Sequence, residues 1–209
     1  KWLKSPPFSN TFYSKCRLSL FWLLKFVNTK TGRSPNLGGN DGAFCYQLHN
    51  VEYSNFKPSL QLGFILFHNK YLYKKGPWDE PLYWLGIKKT KYSKYKFPSE
   101  TIELLKDGGF GIIRQDPDFL AILKIPRNKF RPCQADPLHL DLWFDGINLL
   151  SDGGTYSYSQ NNKYYSYFMG IKSHNTAHFD NNEPMIKISK FLWGNWLNTP
   201  FHKMYIQQN

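Results

Sequence analysis

The segment from Arg131 to Tyr158, RPCQADPLHLDLWFDGINLLSDGGTYSY, constrains the fold more tightly than any other part of the chain. Leu138, Leu140, Leu142 and Phe144 alternate with His139, Asp141 and Trp143, the period of two that marks a strand with one buried face. With the leucines taken as the core side, His139, Asp141 and Trp143 are expected on an open polar face. Phe144-Asp145-Gly146 then turns the chain, and Ile147 to Leu150 forms the second arm of a hairpin, with Gly146 free to take a positive φ. Asp152 closes that arm beside Gly153 and Gly154, where the missing side chains let a ligand or a neighbouring strand come close.

Upstream, the pattern is helical with long loops. Residues 16 to 28 are predicted as a first helix, and Thr31 to Gly42, with Pro35 and its glycines, as a loop. Pro58 opens a second helix in which Leu60, Phe64 and Phe67 share one face and read as core. GPWDEPLYWLG, from Gly76 to Gly86, fits a short capped helix; Asp79 and Glu80 complement the dipole at its start better than they form a catalytic pair. KKTKYSKYK, from Lys88 to Lys96, reads as a solvated linker, with contact to an acidic chain as the other reading. From Gly108 the apolar runs shorten, and residues 108 to 198 are expected to form an antiparallel sheet of roughly six to eight strands.

The 209 residues suffice for one domain with a core, or for parts of two. A formal charge of +12 favours an anionic partner: nucleic acid, anionic lipid or an acidic polysaccharide. Only 5 of the 27 basic residues are Arg, whereas phosphate and guanine recognition favours its bidentate fork, so nucleic acid is not the expected partner. An AT-biased coding sequence would produce the same Lys-rich composition. Three cysteines without CxxC spacing indicate neither a disulfide framework nor a structural zinc site, and free buried thiols are expected. The apolar run Leu18 to Val27 is interrupted by Ser19 and Lys25 and falls short of the roughly 20 residues of a membrane span. It suits a buried helix.

Four segments together resemble one family. NLGGNDGA (Asn36 to Ala43), RPCQADPLHLDLW (Arg131 to Trp143), SDGGTYSY (Ser151 to Tyr158), and SHNT (Ser173 to Thr176) with FLWGNW (Phe191 to Trp196) are similar to heparinase II/III-like proteins. The resemblance implies an α+β architecture: the remnant of a helical (α/α) toroid over 1–104, then an incomplete antiparallel, sandwich-like β domain over 105–209, the whole cut from a longer chain at both ends. It also implies a zinc site in which Asp152 and His174 are ligands and Gln134 stands where metal-bearing members have a His. A neutral amide is a weak zinc ligand, so this site reads as degraded. Pro132 occupies the place of a catalytic His and cannot transfer a proton.

The function implied by the resemblance is action on an acidic polysaccharide, a glycosaminoglycan or alginate for instance, cleaved by β-elimination in an intact parent that works in the periplasm or outside the cell. The alternative is a non-catalytic saccharide-binding or exopolysaccharide-biosynthesis accessory protein. Arg131 is the candidate for pairing a uronate carboxylate, because a guanidinium fits it bidentately. His139, on the expected open face, and Tyr156, first of a run of phenols through Tyr158, Tyr164, Tyr165 and Tyr167, are the other candidate saccharide contacts. Tyrosine is also a good strand former, and that reading of the run stays open. His178 and Asp180 continue the alternation begun at His174.

Overall fold

The computed structural model describes residues 8–88, 92–97, 99–115, 117–158, 162–180, 182–200, 203 and 205. The architecture is α+β, and the chain divides into two compact units. The first comprises residues 1–27, 32–34 and 44–97; the second comprises 28–31, 35–43 and 98–209. The change of unit near residue 97 falls ahead of the 104/105 boundary expected from the sequence. Lys89 to Lys91, in the middle of the lysine-rich segment, lie outside the described residues.

In the first unit, α1 (Asn10–Phe26) and α2 (Lys57–His68) pack together. Ser9 caps α1 by accepting the Phe12 N–H. Pro58 sits in the first turn of α2, and Asn69, left-handed at φ 53°, ends it. Leu60 and Phe64 project from α2 into a core with Leu24, Val27, Leu72 and Tyr73. β1 (Lys70–Tyr71), a 3-10 turn (Pro77–Asp79), α3 (Glu80–Trp84) and β2 (Ser93–Lys94) complete the unit, with β2 parallel to β1. Asp79 accepts the Gly76 N–H and Glu80 accepts the Asn50 N–H, so both carboxylates serve the backbone.

Gln61 is the polar hinge of this core. Its Oε1 accepts the N–H groups of Leu72 and Tyr73, and its Nε2 donates to Tyr73 O and Asp79 Oδ1. Four partners therefore depend on one fully buried amide. Gln61→Leu keeps the volume and orphans those groups, at about 1–3 kcal/mol for each one left dry. We expect it to destabilise the chain by about 3 kcal/mol or more in urea unfolding; unchanged stability would show that water reaches these groups.

The second unit is built on a five-stranded antiparallel sheet in sequential order: β3 (Glu100–Leu105), β4 (Phe110–Gln115), β5 (Phe119–Lys124), β6 (Leu140–Phe144) and β7 (Ile147–Leu150). Asp145 and Gly146, at φ 50° and 81°, make the turn between β6 and β7, as Asp-Gly in a two-residue hairpin loop should. Next come α4 (Asn162–Met169), a 3-10 turn (Ile171–Ser173) and a hairpin of β8 (Ile186–Ser189) and β9 (Leu192–Gly194). A separate core of Ala135, Tyr165, Met169, Met185 and Trp193 gathers around α4.

Three expectations are corrected here. Six strands do fall within 108–198, but they belong to two sheets separated by α4, and Tyr164, Tyr165 and Tyr167 lie on that helix instead of a strand. The β6 faces are inverted: His139 just before the strand and Asp141 and Trp143 within it are buried, while Leu138 and Phe144 are exposed. Asp141 and Trp143 pair with Ile122 and Leu120 on the inner side, and the exposed Ile102, Ile113 and Leu123 lie on the outer one. The cysteines are free, but Cys45 and Cys133 are exposed and Cys16 only partly covered.

Candidate metal centre

The inversion of β6 creates the site. Trp143 donates its indole N–H to Asp141 Oδ1 at 2.5 Å, so two polar side chains satisfy each other within the core. His139 precedes them on the same inner side, and its ring is fully buried. The β7 arm then delivers Asp152. Gly153 N–H donates to Ser173 O at 3.0 Å, and a Cβ on Gly153 would lie 2.8 Å from Ser173, so only glycine admits the approach that brings His174 alongside.

Asp152 and His174 meet at 3.0 Å, Oδ2 to Nδ1. His139 Nε2 lies 3.7 Å from the same Asp152 oxygen and 3.8 Å from Asp141 Oδ2. One potential ligand atom from each of His139, Asp152 and His174 falls within 4.8 Å of the others, and all three residues are buried. Among the described residues, Nε2 of both histidines has no hydrogen-bond partner.

Two imidazoles and a carboxylate are a donor set that zinc accepts, with a fourth position left over. The orphaned Nε2 atoms are buried polar groups in search of a partner. One contact opposes this fit. Asn175 N–H donates to His139 Nδ1 at 3.1 Å, which leaves the proton of the neutral ring on Nε2. A cation at Nε2 therefore needs that proton moved to Nδ1 and the Asn175 hydrogen bond released, a cost of about 1 kcal/mol against the much larger gain from metal ligation.

Gln134 and Asp152 hold the same glycine. Asp152 Oδ1 accepts Gly154 N–H at 2.7 Å, while Gln134 Nε2 donates to Gly154 O at 2.9 Å and, more loosely, to Phe168 O at 3.4 Å. The Gln134 Oε1 is buried without a partner among the described residues. Gln134 thus has a positioning task that its residue type performs well, independent of any ligand function. The NLGGNDGA segment docks on the same turn: Asn40 N–H donates to Thr155 Oγ1 at 2.9 Å, and Thr155 Oγ1 donates to Gly38 O at 3.2 Å. This gives Asn36 to Ala43 a structural use that its glycines alone did not reveal.

The candidate saccharide contacts differ in exposure. His139 is enclosed with Asp152 and His174 and offers no open face, which corrects the side expected from the alternation. Tyr156 and Arg131 are exposed. Burial raises the Tyr165 phenol above its ordinary value. His178 and Asp180 are exposed and join no cluster among the described residues.

The second unit is thus an antiparallel β domain carrying a buried His-Asp-His cluster beside a glycine turn. The profile described as Heparinase II/III-like, C-terminal, matches residues 98–207, and the chain belongs to this family. Among solved structures it is similar to a heparinase III with methylated lysines, at TM-score 0.60 and 16% identity, covering 84% of this chain and 25% of that one. The heparan sulfate lyase HepC from Pedobacter heparinus gives TM-score 0.56 and 17% identity over 84% of this chain and 25% of its own. A further heparinase III gives 0.54 and 15% over 86% and 29%. At these identities the likeness is one of fold. The chain spans about a quarter of the length of the solved structures it matches. No curated protein matches it.

Proposed function

We propose that this chain contributes a β domain to a protein that handles an acidic polysaccharide by lyase-type β-elimination, in the periplasm or outside the cell. The family match over residues 98–207 carries the reading. A formal charge of +12 supports it, because a polyanion is drawn to such a surface at moderate salt.

The division of labour is set by chemistry. β-Elimination needs a base for the proton α to a uronate carboxylate, a partner that neutralises that carboxylate, and an acid for the leaving oxygen. His139 is fully enclosed and His174 nearly so, which suits them to hold a cation rather than to touch a polymer. The residues that would hold it are His139, Asp152 and His174, with Gln134 as the weaker fourth candidate from the resemblance. When bound, a divalent cation there would supply positive charge beside residues from the start of β6, the Asp152 turn and the segment after Ser173. Pro132 is buried and carries no proton, so this chain lacks a base at the position where the family resemblance puts one.

We therefore expect the chain alone to bind uronate polymers and release little or no unsaturated product, while a protein joining it to a complete helical domain releases product. The ultraviolet absorbance of the unsaturated uronate reports both cases. Binding with no product from the complete protein would overturn the lyase reading in favour of the second one, a saccharide-binding or exopolysaccharide-accessory module. Pro132 and the seclusion of both histidines are the observations that favour this second reading.

A further inference from the structure

Away from the buried cluster, the densest unassigned chemistry surrounds α4. A cavity of about 730 Å³ there is walled by Tyr156, Tyr164, Tyr167 and Phe168, with Lys163 and Lys172 at its border. Aromatic walls with a few placed polar groups are the usual lining of a small-ligand site of this size. The Tyr156 ring lies 5.3 Å from that of Phe168 and within 13° of parallel, and 5.7 Å from that of Tyr164. It nevertheless remains 58% exposed. Its backbone is left-handed at φ 62°, a conformation that costs a bulky side chain roughly 1–3 kcal/mol. The fold thus maintains a strained tyrosine whose ring is backed by another ring and open to solvent.

A second cavity, of about 340 Å³, is lined by Lys187, Lys190 and Ser189 and shares Ser166 of α4 with the first. Lys187 Nζ donates to Ser166 Oγ at 3.2 Å and sits 4.6 Å above the Tyr165 ring. Among the described residues lining the two cavities, the one acidic side chain is Glu183, whose carboxylate accepts the Ile171 N–H at 3.1 and 3.2 Å. The described lining of the two cavities therefore holds four lysines and one carboxylate that already has a backbone partner.

We propose that the two cavities form one subsite for an anionic saccharide. The open rings of Tyr156 and Tyr164 take the apolar C–H face of a sugar, and Lys163, Lys172 and Lys187 take its sulfate or carboxylate groups. The subsite rests on the acidic-polysaccharide reading above and adds where on this chain the polymer lies, at a place distinct from the His-Asp-His cluster.

Calorimetric titration of the 209-residue chain with short heparin-derived, polyuronate and neutral glucan oligosaccharides tests it. Binding of either acidic oligosaccharide, with the neutral one much weaker, is expected; the two acidic arms separate sulfate from carboxylate recognition. K163E/K172E should lower the acidic affinity by about tenfold or more, and Tyr164→Ala by about tenfold. The charge-matched K74E/K75E control, at residues that line neither cavity, should change it less than about threefold, because exposed charges outside the site are screened. Equal binding of the neutral sugar, an unchanged affinity in K163E/K172E, or an equal loss in the control would each overturn the subsite. Lysine-dependent binding with no lyase product from any preparation would uphold the subsite while removing only the catalytic reading.

Discussion

Replacing Asp152 with alanine is expected to lower the zinc affinity of the chain by about a hundredfold or more. The residue's Oδ2 lies within reach of both histidines, at 3.0 Å from His174 and 3.7 Å from His139. Loss even of groups that merely orient a ligand costs about 10–100-fold, so loss of the shared carboxylate belongs at the upper end. Alanine also removes the acceptor for Gly154 N–H and so loosens the turn. Asp152→Asn separates the two effects, because an amide oxygen still accepts that N–H but brings no charge to the cation. The asparagine variant should melt near the parent in the presence of chelator and still bind zinc poorly, measured by titration against a competing chelator. Parental zinc affinity in Asp152→Asn would end the case for this cluster as a metal centre.

A second large effect is expected at Asp136. Both of its oxygens lie 2.5 Å from Lys124 Nζ, with side-chain exposures of 3% for the Asp and 24% for the Lys. The Lys124 main chain meanwhile donates to His139 O at 2.8 Å, so one residue at the end of β5 grips both ends of the Asp136 to His139 bend. Asp136→Ala leaves a largely enclosed ammonium without its counterion, which costs about 3–5 kcal/mol. Urea unfolding should show a loss of that order. Replacing both partners, Lys124→Met with Asp136→Leu, should recover most of the stability, since a packed apolar pair needs no desolvation of charge. A double variant as unstable as Asp136→Ala would mean that the bend depends on the pair's geometry rather than on neutralising a charge.

Both effects concern the approach to His139, where sequence and structure differ most. Alternation from Leu138 to Phe144 was legible as a strand, and Asp145-Gly146 as its turn, because backbone sterics and the pleat act locally. Which side faces the core is not a local property. The leucine side resembles a core, yet the buried side carries His139, Asp141 and Trp143, made tolerable by the Trp143 to Asp141 hydrogen bond. A pattern of period two is unchanged by exchange of its two faces, so only the neighbouring strands could decide between them. The tyrosines after Asp152 show the same limit: strand propensity favoured a sheet, but packing of Tyr165 and Met169 into a core with Ala135, Met185 and Trp193 selects a helix.

The meeting of Asp152 with His174 was legible through the family resemblance, and the glycines beside Asp152 marked a close approach. The third member was missed as a ligand candidate. His139 carried a signal, two residues from Asp141 on one face, but that signal pointed to solvent as long as the leucines were assigned to the core.

The sequence by itself determined the α+β class, the β6–β7 hairpin with its turn, and the glycines that permit crowding around Asp152, since each stems from φ/ψ limits or from periodicity over a few residues. Tertiary structure alone decided that the polar side of β6 lies inside, that Gln134 and Asp152 grip Gly154 together, and that Tyr156 stands open beside α4. Those outcomes depend on burial, and whether a side chain is buried is set by segments far away in the chain rather than by its own neighbours.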